Sequence, residues 1–271
     1  MRYRHVSTVR DVVKPFWASW PRLRARIAAA PRKLLLLDFD GTLAAIAPSP
    51  DAVALRPRTR RALRALARRR DFRVTVISGR ALADLRPYLR GIGGVLAVGN
   101  HGLEFSGGGG WLQVPSRTRR RALSLRTLLG AFAKKCRVDF MGLPGVLVED
   151  KGFAVAIHYR NLESRYTPAF REGLRFLRGH YRNSPLVWRR GKKVWEILPD
   201  IRWSKGLAAL DLEKRFPGAL PLAVGDDRTD EDMFRVLKRR GVTVRVGFSR
   251  RSGANYYLAS QREIDALLES L

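Results

Sequence analysis

The chain has 271 residues and 45% hydrophobic content, enough to bury a core in one large domain or two moderate ones. No run reaches the roughly 18 consecutive apolar residues that would span a bilayer, which argues against an integral helical membrane protein. The single cysteine, Cys136, rules out an internal disulfide, leaves no zinc-ligand pattern and fits a reducing compartment such as the cytoplasm. The 53 Lys and Arg against 24 Asp and Glu give a formal charge of +29, which alone points to an anionic partner: nucleic acid, anionic lipid or a phosphorylated substrate. The basic residues are nevertheless spread along helical stretches such as RPRTRRALRALARRR, where they read as solvated faces opposite an alanine and leucine stripe.

Residues 1–30 carry Trp17 and Trp20 among basic residues and read as a basic N-terminal extension, a surface helix or arm. From Arg32 the texture becomes short apolar runs alternating with helical patterns. KLLLLDFD, FRVTVISG and VLAVGN are strand-like, and the stretches from Pro57 to Arg70 and through ALADLRPYL are helix-like. The alternation resumes with SKGLAALDLEKRF, LPLAVGDD, TDEDMFRVLKRR and VTVRVG, so that βαβ units and a parallel sheet are expected. Between these halves a long helix over about Arg117 to Cys136 precedes a hairpin of GVLVED and GFAVAIHYR. A helix near Ser164 to His180 and the strands PLVW and KVWEIL then repeat the order helix, strand, strand. The expected organisation is α/β: a Rossmann-like parallel core at 31–112 and 197–271, with a smaller α+β domain inserted at 113–196.

Ligands of parallel α/β sheets bind outside the carboxyl ends of the strands. Asp38 and Asp40, Ser78, Lys205, and Asp226 with Asp227 all fall at such ends. Carboxylates gathered on one edge repel unless a cation neutralises them, and a hard divalent ion held by oxygens, most simply Mg2+, answers that need. A carboxylate can attack phosphorus to form an aspartyl phosphate, while a lysine, a hydroxyl and a metal stabilise the transferring group. On this reading Asp38 is the nucleophile. Asp40 is the general acid and base, provided that Gly41 lets the chain turn out of the strand.

DFDGTL, ISGR, the lysine of SKG and GDDRTDEDMF resemble, in order, the four motifs of the haloacid dehalogenase superfamily of phosphatases. GNHGLEF, VEDKGFAVAIHYR, GKKVWEILP and GDDRTDED are similar to phrases of the trehalose-6-phosphate phosphatases, and extend the resemblance from about Leu34 to the C-terminus. The resemblance implies phosphorylation of Asp38, acid and base work by Asp40, and phosphate held by Ser78 and Lys205. It implies Mg2+ held by Asp38, the backbone carbonyl of Asp40 and Asp226, with Asp227 in support. It makes the insert a cap whose Glu149, Lys151, Lys192 and Glu196 grip sugar hydroxyls, with Arg80, Asn100 and His101 on the core side of the cleft. The implied reaction is hydrolysis of trehalose 6-phosphate to trehalose and phosphate, and whether a trehalose-6-phosphate synthase is a partner stays open. His158, alternating with apolar residues in a strand, reads as structural. One departure is Ser204 in WSKG, where asparagine is expected. The alternatives are action on another sugar phosphate, such as sucrose phosphate or a mannosyl phosphate, and a basic nucleic-acid-binding protein with a vestigial site.

Overall fold

The computed structural model describes residues 13–106 and 114–271. The first twelve residues of the expected N-terminal extension, and the expected boundary at 112/113, lie outside them. In chain order the elements are β1 (Lys14–Pro15), α1 (Phe16–Ala29), β2 (Lys33–Leu37), α2 (Pro57–Arg68), β3 (Phe72–Ile77), α3 (Leu82–Leu89), β4 (Val95–Gly99) and β5 (Glu104–Phe105). There follow α4 (Ser116–Ser124), α5 (Arg126–Asp139), β6 (Leu147–Asp150), β7 (Val155–His158), α6 (Thr167–His180), β8 (Leu186–Arg190) and β9 (Val194–Pro199). The chain closes with α7 (Lys205–Arg215), β10 (Leu220–Gly225), α8 (Glu231–Leu237), β11 (Val242–Val246), β12 (Tyr256–Leu258) and α9 (Ile264–Ser270).

The larger sheet has the order β1-β12-β11-β10-β2-β3-β4-β5, with only the β4–β5 pair antiparallel. Its centre explains the four leucines of β2. Strand alternation sends Leu35 and Leu37 into one apolar layer with Leu63 and Leu66 of α2 and Leu85 of α3, and Leu34 and Leu36 into the opposite layer with Leu212 of α7 and Phe234 of α8. All four are wholly buried, so β2 is held from both faces.

Residues 14–29 correct the expectation of an extension apart from the core. β1 extends the sheet beside β12, and Phe16, Leu23 and Ile27 bury into the same layer as Leu35. Their spacing of seven and four residues gives one apolar stripe that the surrounding arginines mask in a compositional reading.

The second sheet is antiparallel throughout, in the order β6-β7-β9-β8. One face carries Val155, Ile157 and Ile197 into a separate core with Phe132 and Cys136 of α5 and Phe170 and Leu174 of α6. The register aligns Glu149, Ala156, Glu196 and Arg189 in one row across the other face. The sheet is thus apolar on its helix-covered side and charged on the side that meets the parallel core. The single long helix expected over Arg117 to Cys136 is two helices meeting at Leu125, where the Ser124 hydroxyl donates to the Arg121 carbonyl at 2.9 Å and competes with the helical ladder.

Candidate active site

Asp38 follows β2, Ser78 follows β3, Asn100 and His101 follow β4, Asp226 and Asp227 follow β10, and Lys205 opens α7. Parallel strands in register therefore deliver these residues to one edge. Gly41, at φ +87°, turns the chain after Asp40, and its amide donates to the Ala44 carbonyl at 2.7 Å, so that Asp40 leaves strand geometry. A methyl group at Gly41 would collide with the Asp226 carboxylate, so only glycine fits there.

Lys205, almost wholly buried, is the hub: its ammonium donates to Asp38 at 2.6 Å and to Asp230 at 2.8 Å. Desolvation lowers its proton affinity, but the two carboxylates outweigh it and raise the pKa, so it stays an ammonium. The second oxygen of Asp230 accepts from the backbone amides of Asp226 (2.9 Å) and Asp227 (3.0 Å) and shapes the turn between β10 and α8. Asp38, Asp226 and Asp230 bring carboxylate oxygens within 4.8 Å of one another. Burial, then the charge of Asp230, raises the pKa of Asp38 well above the usual range and pushes Asp226 up to about 6. Burial raises that of Asp227 as well.

Three acids thus face Lys205 and the half-exposed Lys192, whose ammonium reaches across from the β8–β9 turn to Asp226 at 2.6 Å. Asp226 Oδ1 remains buried without a hydrogen-bond partner. An excess of buried negative charge with a free carboxylate oxygen fits an oxygen-liganded divalent cation.

Arg80 is buried beneath the cavity and donates from Nε to Asp40 Oδ2 at 2.7 Å and from a terminal nitrogen to Asp40 Oδ1 at 2.8 Å. The cap side supplies Lys151, 3.4 Å from Glu196 and 3.9 Å from Glu149, and His158, 2.9 Å from Glu149. Burial would raise both glutamates, but His158 and Lys151 hold Glu149 below the usual carboxylate range, and His101 and Lys151 do the same for Glu196. His101 Nε2 lies 3.5 Å from Glu196, an ion-pair distance without hydrogen-bond geometry, and both ring nitrogens are buried without a hydrogen-bond partner.

Of the residues expected to form the site, Asp38, Asp40, Ser78, Arg80, His101, Glu149, Lys151, Lys192, Glu196, Lys205 and Asp227 line one cavity of about 150 Å³. Asp226 stands behind Lys192. Asn100 is the exception. Backbone φ values of 45° at Asn100 and 56° at His101 turn its carboxamide from the cavity to Glu104 (2.8 Å) and the Lys151 carbonyl (3.1 Å), where it ties core to cap. His158, expected to be structural, lines the cavity because it shares the sheet face of Glu149 and Ala156. Asp230 was not singled out in the sequence; the signal available was a third acid four residues after Asp226 at a helix start. Ser204 caps α7, its hydroxyl accepting from the Leu207 amide at 3.4 Å, a task that serine and asparagine share.

A parallel α/β core with an inserted lid over carboxylates is the architecture of the haloacid dehalogenase phosphatases. A phosphatase of that superfamily from Bacteroides thetaiotaomicron superposes at a TM-score of 0.53, with 15% identity over 90% of this chain and 95% of its own. The C-terminal domain of a Candida albicans trehalose-6-phosphate phosphatase superposes at 0.76, with 23% identity over 92% and 95%. The trehalose-phosphatase family model matches residues 36–262, and the chain belongs to that family. A trehalose-phosphate phosphatase of Mycobacterium bovis is 34% identical over 220 residues, 78% of this chain and 53% of that protein. An uncharacterized glycosyl hydrolase of Mycobacterium tuberculosis is 33% identical over 98% of this chain, which spans 20% of its length.

Proposed function

We propose that the chain hydrolyses trehalose 6-phosphate to trehalose and inorganic phosphate. The observation that carries this reading is the meeting, in one cavity, of the Asp38–Lys205 pair with a cap face bearing Glu149, Lys151, Lys192 and Glu196. An Asp38 oxygen attacks phosphorus, the bond from phosphorus to the sugar oxygen breaks, and Asp40 gives that oxygen its proton. Asp40 then takes a proton from water, which attacks the aspartyl phosphate and releases phosphate and Asp38. Lys205 and the Ser78 hydroxyl offset charge on the phosphoryl oxygens. Arg80 aims Asp40, and its grip must loosen as Asp40 gains the proton. Asp38, Asp226, Asp230 and the carbonyl of Asp40 would hold Mg2+, with Asp227 beside them. When bound, Mg2+ lowers the repulsion between carboxylate and phosphate.

Glu149, Lys151, Lys192 and Glu196 would accept from and donate to sugar hydroxyls, with His101 opposite. Asn100 acts as the tie behind Lys151. The cavity of about 150 Å³ is below the roughly 300–1,000 Å³ of ligand sites, so that a disaccharide phosphate enters only when the cap, residues 113–196, lifts from the core at 31–112 and 197–271. A cytoplasmic location and supply of substrate by a trehalose-6-phosphate synthase complete the proposal. Among the described residues no helix is long and apolar enough to cross a membrane.

Phosphate release across a panel of sugar phosphates with Mg2+ tests the reading. The highest kcat/KM is expected for trehalose 6-phosphate; a clear preference for sucrose phosphate or a mannosyl phosphate would overturn the substrate, and no turnover of any would overturn the enzyme.

A further inference from the structure

On the cap, on the far side of the β8–β9 turn from the catalytic cavity, lies a second and larger hollow of about 770 Å³. One wall is the face of α6 that carries Arg171, Arg175 and Arg178, spaced by four and three residues so that they project together. The opposite wall is the turn itself, with Arg190 and Lys193. The turn parts the two sites: Lys192 lines the catalytic cavity, while its neighbours Gly191 and Lys193, the latter held at φ +65°, line the hollow. The 12 lining residues include five cations and no acid. Glu172 of the same helix lines an adjoining groove, beside Phe176 and His180, and Arg175 borders both. None of the five cations makes an ion pair among the described residues; Arg178 lies over Trp195 (5.4 Å) and Lys193 over Tyr159 (5.9 Å).

Like charges converging on one concavity raise the free energy of the empty site, and a compact polyanion relieves this far better than monovalent counterions. The size falls within the range of small-molecule sites, and the walls curve around one body where nucleic acid would need an extended track. Arginine forks match phosphoryl oxygens, and Trp195 and Tyr159 add an aromatic floor. We propose that this hollow binds a small anion carrying two or more phosphoryl groups, at a site distinct from the catalytic one.

The test is calorimetric titration of the full chain with inorganic tripolyphosphate and, separately, ATP. A binding event is expected that R171A/R175A weakens at least tenfold, that R171K/R175K largely restores, and that R68A/R70A, an exposed pair elsewhere, leaves within twofold. Both arginines replaced in the hollow are exposed helix positions where alanine is favourable, and an unchanged Tm verifies folding. ATP binding tighter than tripolyphosphate assigns a nucleotide, and equal affinities assign the phosphoryl groups alone; either supports the site. The proposal is overturned if no event depends on Arg171 and Arg175, or if R68A/R70A weakens it equally. It is also overturned if the hollow variants lower affinity only for a single-stranded oligonucleotide.

Discussion

Arg80 and Asp40 form a two-pronged pair, Nε to Oδ2 at 2.7 Å and a terminal nitrogen to Oδ1 at 2.8 Å, with the guanidinium further tied to the Pro50 carbonyl at 3.1 Å. The pair fixes the plane of the carboxylate two residues after Asp38, the proposed nucleophile. Lysine cannot reproduce two parallel donors. R80K should therefore lower kcat by roughly 10–100-fold with little change in KM, because the proposed general acid has lost its orientation. D40N should cost about 10²–10⁴ in kcat. A rise in KM alone for R80K would instead make Arg80 a substrate contact.

Lys205 is the buried cation that holds Asp38 and Asp230 together. K205M leaves two buried carboxylates facing each other, and removal of one partner from a buried pair costs about 3–5 kcal/mol. Loss of turnover with a Tm lowered by several degrees is expected at neutral pH, with the Tm deficit narrowing in acid as Asp38, whose pKa burial already raises, takes up a proton. A variant as stable as the parent at pH 7 would contradict the hub assignment.

The core was readable because strand-end chemistry follows from period and order alone: once β2, β3 and β10 are parallel neighbours, Asp38, Ser78 and Asp226 must share an edge. Direction after the strand is less readable. Asn100 and Asp230 sit in turns whose local backbone, not their position in a pattern, decides which way the side chain goes. α1 was obscured for a different reason, since its three buried residues are diluted by arginines and interrupted by Pro21. His158 shows the limit of reading one strand by itself: alternation places it opposite the apolar core, but only the sheet's register makes that side the cavity.

Metal dependence at the proposed Mg2+ site should separate Asp230 from Asp227. Chelation should abolish phosphate release and added Mg2+ restore it. D230N removes a member of the carboxylate cluster and a turn-forming acceptor together, and should raise the half-saturating Mg2+ concentration by about 10–100-fold. D227N should raise it much less, its carboxylate lying outside the cluster. The reverse order, read from Mg2+ titrations of activity, would restore the set expected from sequence.

The cap glutamates predict acid sensitivity. Burial disfavours the charged form of Glu196, yet His101 and Lys151 hold its folded-state pKa below the value in an unfolded chain, about 4.3. Such a depressed carboxylate contributes stability that is complete above the unfolded value and is lost as pH falls through the folded one. Tm should therefore drop as the pH is taken from 6 towards 3. E196Q should have a lower Tm at pH 6, at roughly 2–4 °C per kcal/mol lost, and a shallower acid dependence. Parallel Tm–pH curves for the two proteins would remove Glu196 from the linkage.

Cys136 sits on α5 with no exposed surface, packed in the cap core with Phe132 and Leu177. Burial, and then the nearby Asp139, pushes its thiol up to about 12, so that the thiolate is scarce at pH 8 and shielded from solvent. Iodoacetamide should leave the native protein unmodified over hours and alkylate one site rapidly in denaturant. The sheet-facing side of α5 opens only when the cap core opens, so the labelling rate at increasing urea reports cap unfolding apart from the parallel core. Coincidence of that transition with loss of the far-ultraviolet signal would make the two cores one cooperative unit. Labelling at lower urea would make the cap the less stable part. Fast labelling in the absence of denaturant would show that the packing around Cys136 is looser than described.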